Sequence, residues 1–492
     1  MLFNSLQFLI FLPAVFIAYY SIPNRYRPAL LFVASCYFYM AFVPAYVLIL
    51  FALIATDFFF GLRISKATGT RRRFFLIGSL VANLGALFFF KYFNFFSENA
   101  AALASIIHWN YPLVILQITL PLGLSFHIFQ SLSYVIEVYR GKQEPERNLG
   151  IYALYIMFFP QLVAGPIERP QHMLHQFREQ HPFDSLKVRR GLELILWGLW
   201  KKLVIADKIA PLVNAVYSNL EVMNGFTVFL AVFAFSYQLY CDFSGYSDIA
   251  VGSALVFGYD LTNNFNRPFS ARSIGDFWRR WHISLSNWLR DYLYYPLALA
   301  GKRVTKSRIN LSLLVTFTLI GLWHGANWTY VVFGLIHGLY SVFSIWTAKI
   351  RKHLSRAIGL AERPSLEKSW QVIATFILVT ISFVFFRAAS LGQAFQVFEK
   401  LGRAFSDLPS FLLNWRNIFT LENIGLRSQS ILVIVLAMIL LEYIQYLKAK
   451  RKTQFIFENK SLLLRWGWYY LLIFTILGVG YLGARTFIYF QF

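Results

Sequence analysis

Apolar runs long enough to cross a lipid bilayer, divided by short clusters of lysine and arginine, dominate this chain. A bilayer core takes about 20 helical residues per crossing. With no water at that depth, backbone polar groups must be satisfied inside helices or a closed barrel. The runs fall at 4–20, 29–43, 45–62, 74–96, about 113–138, near 190–206 and 226–258, then 309–323, 328–348, 369–386, 429–447 and 467–486. Only 14% of the 492 residues are charged and 58% are hydrophobic, whereas soluble domains carry about a quarter charged residues. The expectation is an all-α polytopic membrane protein with about ten or more spans. Leu6–Tyr20 reads as the first span, since no basic n-region or small-residue cleavage site marks a removable signal. No long linker, low-complexity tract or internal repeat divides the sequence, so a single membrane domain over 1–492 is expected, with its core at about 113–348.

The net charge of +23 invites a nucleic-acid reading, but the positions of the charges argue against it. Basic residues cluster at Arg63–Arg73, Arg140–Arg147, Lys302–Arg308, Lys349–Lys368 and Lys448–Lys452. Short basic loops of this kind face the cytoplasm, where they also hold anionic lipid or an anionic donor. This orientation places the N-terminus, the outer end of the span 309–323 and the tail Arg485–Phe492 outside. Cys36 and Cys241 lie far apart in apolar segments, so neither a disulfide framework nor a CxxC metal site is indicated.

Polar residues inside the apolar runs are the candidates for chemistry. The segment Phe159–Arg169 carries Pro160, Gly165 and Pro166 and is no plain helix; it reads as re-entrant. His172, His175 and His181 follow in a basic loop with no Cys or carboxylate pair to complete a metal site, so no metal is assigned. Asp242 and Asp248 flank Gly245 in an apolar surround, which reads either as a kink lining a cavity or as a purely structural polar kink. Trp278, Trp281, Leu285, Trp288 and Tyr292 recur at helical spacing, with Arg279, Arg280 and Arg290 off that stripe. This is an interfacial amphipathic helix with snorkelling arginines, or one that adds a donor-phosphate site and turns His282 inward.

Gly321–Gly338 contains His324 and His337 in a stretch almost without charge. An ionisable residue at membrane depth is a functional candidate by default; a hydrogen-bonded packing role is the alternative. Thirteen residues turn a helix through about 220°, so one continuous helix does not put the two on one face. No GxxxxGK, HExxH, GxSxG or GxGxxG-helix signature occurs. Histidine is suited to accept a hydroxyl proton near neutral pH, and a hydroxyl so activated attacks a thioester. The basic cytoplasmic face suits a phosphate-bearing thioester such as coenzyme A or phosphopantetheine.

Six blocks together resemble the membrane-bound O-acyltransferase (MBOAT) superfamily, and within it the bacterial alginate O-acetylase group. They are Leu122–Phe126, Ser133–Gly141, Ala164–Pro166, Asp242–Asp248, Asp276–Tyr295 and Gly321–Gly338. The resemblance implies a helical bundle with re-entrant and interfacial helices and a central tunnel, in the bacterial inner membrane. It implies an O-acyltransferase that passes an acyl group, acetyl by preference, from acetyl-CoA or another thioester towards an extracytoplasmic polysaccharide, through a separate transferase and with no bound cofactor. His324 takes the catalytic role and His282 the second polar position. Asp242, Asp248, Trp278, Arg279, Arg280, Trp281 and Trp323 are candidates for lining the tunnel or holding the donor, with His337 and Asn327 supporting. Phe487–Phe492 resembles a C-terminal acyl-carrier motif, which makes Tyr489 the carrier; from residue types alone the tail reads as an aromatic interfacial anchor. His127 and Gln130 depart from the tyrosine and acidic residue expected at those positions. A lipid-acceptor acyltransferase and a transporter without chemistry remain as alternatives.

Overall fold

The computed structural model describes residues 1–118, 120–301, 303–413, 428–453, 455–483 and 485–491. Lys302, in a loop expected to be cytoplasmic, and Phe492, at the end of the tail, lie outside the described residues. Among those described, every regular element is helical. Seven helices are long and apolar enough to cross a bilayer: Tyr46–Lys66, Gly69–Ile106, Gly225–Leu255, Trp328–Trp346, Pro364–Arg387, Ser430–Arg451 and Leu462–Val479. Leu6–Ser21 is apolar but has 16 residues, about 24 Å of helix. The run 113–138 is not one span, because Pro121 and the left-handed Gly123 delay the helix to Leu124–Tyr139.

The chain forms two compact units, Met1–Ile195 with Ser247–Asn263, and Leu196–Tyr246 with Asn264–Phe492. In the first, the helices Tyr46–Lys66 and Gly69–Leu87 are joined by a buried carboxylate. Asp57 accepts from Ser79 Oγ at 2.6 Å and from Asn83 Nδ2 at 2.9 Å. The segment 158–169 is non-helical and almost wholly buried. Its polar groups find protein partners. The Phe159 amide donates to Ser35 Oγ, Tyr155 Oη donates to the Glu168 carbonyl, and the Glu168 carboxylate accepts from the Thr262 amide and meets His172 Nδ1. Irregular backbone survives in an apolar protein only when satisfied in this way. Gly123 (φ +73°) lies so close to this segment that a Cβ would come within 2.8 Å of the Leu162 carbonyl.

In the second unit, the helices Lys306–His324 and Trp328–Trp346 pack backbone to backbone. A Cβ on Gly321 would lie 2.0 Å from the Tyr330 carbonyl, and one on Gly334 would lie 2.1 Å from that of Phe317. Small residues permit this approach where lipid supplies no hydrophobic drive between helices. Leu311, Leu319, Leu335, Leu339 and Phe343 remain exposed on the pair, as a lipid-facing surface requires. Gly198 and Gly245 bring their helices together likewise, a Cβ on Gly245 falling 2.7 Å from the Gly198 carbonyl. The segment around Asp242 is no kink: the helix runs unbroken from Gly225 to Leu255, with its glycine used for close packing.

Gly334→Ala is expected to destabilise the protein by about 2 kcal/mol or more, since the new methyl meets backbone that cannot yield. Gly467→Ala, where a Cβ meets nothing within 4 Å, serves as the control. Thermal unfolding of the detergent-solubilised protein should show a lower midpoint for the first variant and no decrease for the second.

Candidate active site

His324 is the last residue of its helix, whose first turn is capped by Thr305 Oγ1 accepting from the Arg308 amide at 3.2 Å. The chain reverses through Gly325, Ala326 and Asn327 and re-enters helix at Trp328. Asn327 makes that turn: its Oδ1 accepts from the Thr329 amide at 2.9 Å and its Nδ2 donates to the Ala389 carbonyl at 3.2 Å. The His324 ring is buried, with ring centres of Trp323 at 5.0 Å, Phe386 at 5.1 Å, Tyr489 at 5.5 Å and Phe333 at 5.9 Å.

Tyr489 sits in the short 3-10 turn Ile488–Gln491. Its ring lies 4.4 Å from Phe243 and 5.3 Å from Phe487. His282 also packs against Phe243, edge-on at 4.7 Å, and lies 6.1 Å from Trp323. The structure thus brings His282, Phe243, Tyr489 and His324 into one series of rings, although they come from four separate parts of the second unit.

His282 does not reach this place on a continuous amphipathic helix. Helix Ile274–Trp278 ends, the chain turns, and Ile283–Leu289 begins after His282 itself adopts φ +43°. A left-handed conformation is unfavourable for a residue with a Cβ. It is held by Asn264, whose carbonyl accepts from the Ile283 amide and whose Oδ1 accepts from the Ser284 amide. The turn carries Trp281 onto Phe277, stacked at 5.4 Å, and against Phe265, which in turn packs on Phe243. Arg279 and Arg280 both pair with Asp276, and Arg279 is largely exposed. Trp278 is tied to His337: its Nε1–H donates to Nδ1 at 3.2 Å, and Nε2 meets Ser382 Oγ at 2.8 Å. Indole only donates, so Nδ1 is the acceptor and Nε2 carries the proton; Ser382 passes its own hydroxyl hydrogen to the Val379 carbonyl. Both His337 nitrogens are therefore engaged in joining elements together.

Asp242 is buried, and both of its carboxyl oxygens meet groups of the protein. Its Oδ1 meets Lys202 Nζ at 2.5 Å and its Oδ2 accepts from the Ile488 amide at 2.8 Å. Lys202 also pairs with Asp207 at 3.0 Å. Asp248 lies six residues on, about 240° around the helix; it is part-exposed and belongs to the first unit. Lys202, Asp207 and Phe243 were not among the sequence candidates. The signal was there for the first two: Lys202 and Asp207 interrupt the apolar run that follows Trp200. His172, His175 and His181 each engage a separate protein group, namely the Glu168 carboxylate and the carbonyls of Gln171 and Gln176. Among the described residues no three His, Cys, Asp or Glu side chains converge on a metal-sized site.

Residues 147–390 match the model of the membrane-bound O-acyltransferase family. The chain is 38% identical over 406 residues to a probable alginate O-acetylase of Azotobacter vinelandii, covering 82% of this chain and 78% of that protein. It is 34% identical over 434 residues to a peptidoglycan O-acetyltransferase of Helicobacter pylori, covering 81% and 79%. A teichoic acid D-alanyltransferase of Streptococcus thermophilus is 30% identical over 285 residues, covering 54% and 68%. With its apolar spans and its histidines set among aromatic rings, the chain belongs to the membrane-bound O-acyltransferase family and is a multi-pass membrane O-acyltransferase.

Proposed function

We propose that this protein takes an acyl group, acetyl by preference, from a cytoplasmic thioester and moves it outward for O-acylation of an extracytoplasmic polysaccharide in the bacterial envelope. The relatives named for alginate, peptidoglycan and teichoic acid support an envelope polymer as the destination. The observation that carries the reading is the approach of Tyr489 to His324, 5.5 Å between ring centres. A phenol ordinarily titrates near pH 10, so the reaction needs a base in contact as the bond forms. His324 removes the Tyr489 proton while the phenolic oxygen attacks the thioester carbonyl. The carbon–sulfur bond breaks, an aryl ester forms, and the proton returns from His324 to the leaving thiolate. His282, across Phe243, polarises or positions the thioester.

The charge pattern supports the direction of transfer. The basic loops flanking the spans face the cytoplasm by the positive-inside rule, where a phosphate-bearing donor such as acetyl-CoA is drawn in. His324 and the tail then lie towards the outer side, where a separate transferase collects the acyl group from Tyr489.

Incubation of the purified protein with acetyl-CoA, followed by peptide mass spectrometry, tests this. An acetyl group is expected on Tyr489 in the wild type and on neither His324→Ala nor Tyr489→Phe. A His324→Ala protein that folds and still acylates Tyr489 removes the catalytic assignment. Acetylation of lipid with an unlabelled tail redirects the reading to a membrane acceptor.

His337 is expected to behave differently. Ser382→Ala leaves the buried Nε2–H without its acceptor, a loss of about 1–3 kcal/mol. The unfolding midpoint should fall while the rate of Tyr489 labelling stays within a few-fold of wild type. A rate loss of a hundredfold or more at an unchanged midpoint would place His337 in the chemistry.

A further inference from the structure

The charged cluster beside the tail has no task in the chemistry above. Lys202, Asp207 and Asp242 are all buried, and burying such charges is strongly unfavourable unless each is paired and hydrogen-bonded. Two carboxyl groups face one ammonium here, at 2.5 Å and 3.0 Å, so the ammonium alone does not occupy all four carboxyl oxygens. The C-terminal segment supplies further donors. The Ile488 amide donates to Asp242 Oδ2 at 2.8 Å. The Arg485 guanidinium, stacked over Tyr481 at 4.3 Å, lies within electrostatic reach of Asp207. Two further contacts flank these. The Tyr481 amide donates to the Leu203 carbonyl at 2.9 Å, and Phe487 stacks on Tyr246 at 4.5 Å and 18°.

We infer that Asp242, held in place by Lys202, is a positioning residue that docks the C-terminal tail by its backbone and so fixes the register of Tyr489 against His324. The inference rests on Tyr489 as the acyl acceptor, but the docking itself is physically separate from the chemistry. Lys202 fixes the rotamer of Asp242 from one oxygen and leaves the other to accept from the tail. The bonded amide belongs to the residue directly before Tyr489, so the hydrogen bond sets the phenol's position with no contact to the phenol. A charge-assisted hydrogen bond of this kind is among the stronger ones available. Lys202 and Asp207 therefore act through Asp242 and meet no substrate.

The test uses the full-length protein in detergent, with two independent readings. The first is hydrogen–deuterium exchange of the amides of 485–489 by mass spectrometry; the second is the rate and the donor KM of Tyr489 acetylation from acetyl-CoA. Asp242→Asn weakens the ion pair and the docking bond together. Ile488→Pro removes the tail's N–H and leaves the Lys202–Asp242–Asp207 set intact, so it stands if the first variant fails to fold. Both are expected to raise tail exchange roughly tenfold or more, the change that loss of a hydrogen bond to a charged group implies. Both should lower the maximal rate of Tyr489 acetylation by a similar factor with donor KM unchanged. Tyr489→Phe should retain wild-type tail protection while accepting no acetyl group. Unchanged tail protection in both docking variants overturns the inference, as does a raised donor KM with the tail still protected. If protection falls as expected but wild-type Tyr489 never carries an acetyl group, the docking stands and the acceptor reading fails.

Discussion

Asp242 carries a charge into an interior built almost wholly of rings and aliphatic chains. Lys202 makes this possible, and the two together dictate much of what surrounds them. An ammonium and a carboxylate 2.5 Å apart must have their remaining donor and acceptor positions filled from within the protein. Asp207 takes one such position on Lys202 and the Ile488 amide takes one on Asp242. The lysine stands in a π-helical stretch, Lys201–Ala206, a wider turn that often accompanies functional positions. Its neighbour Lys201 donates to Ser244 at 2.9 Å on the same partner helix. One pair of charges thus ties together a π-turn, a long apolar helix and the end of the chain.

The other organising device is backbone contact through glycine. Gly321 and Gly334 let two helices meet with no side chain between them, which leaves the short turn at Gly325–Asn327 little freedom. His324 ends the first of these helices, so its position follows from glycine packing and from the Asn327 cap. His282 is placed by a different route, a left-handed residue pinned by Asn264. The two candidate histidines therefore reach the same ring series by different backbone supports, and the Trp323 ring meets both.

What the sequence made legible divides along physical lines. Apolar spans and the polar residues within them are local properties, so His324, His282 and Asp242 stood out. Tyr489 was visible by resemblance to a tail motif, and its residue type alone pointed to a membrane anchor. Features that depend on a partner distant in sequence were not legible. Asp242–Asp248 read as a kink because two carboxylates and a glycine break an apolar run; Lys202, forty residues earlier, lets the helix continue. The stripe from Trp278 to Tyr292 matched one helix face, yet the chain turns at His282, and nothing local records that Asn264 stabilises the turn. Pro121 and Gly123 did announce the late start of Leu124–Tyr139, but the apolar run around them outweighed that signal.

Ring packing around Tyr489 is backed by backbone hydrogen bonds of the tail, from Tyr481 to Leu203 and from Ile488 to Asp242. Aromatic contacts are weakly directional, with several geometries of similar energy. Phe243, Phe386 and Phe487 would accept more than one ring from a tail as aromatic as Phe487–Phe492. Successive Cα atoms lie about 3.8 Å apart. A slip of one residue would set Ile488 or Phe490 against His324, and neither carries a hydroxyl. Hydrophobic packing alone therefore does not decide which residue meets His324. A hydrogen bond does, because its length tolerates a few tenths of an ångström, far less than one residue step. Asp242 meets that need through the backbone of Ile488, so the position of the Tyr489 ring is set by its chain neighbour.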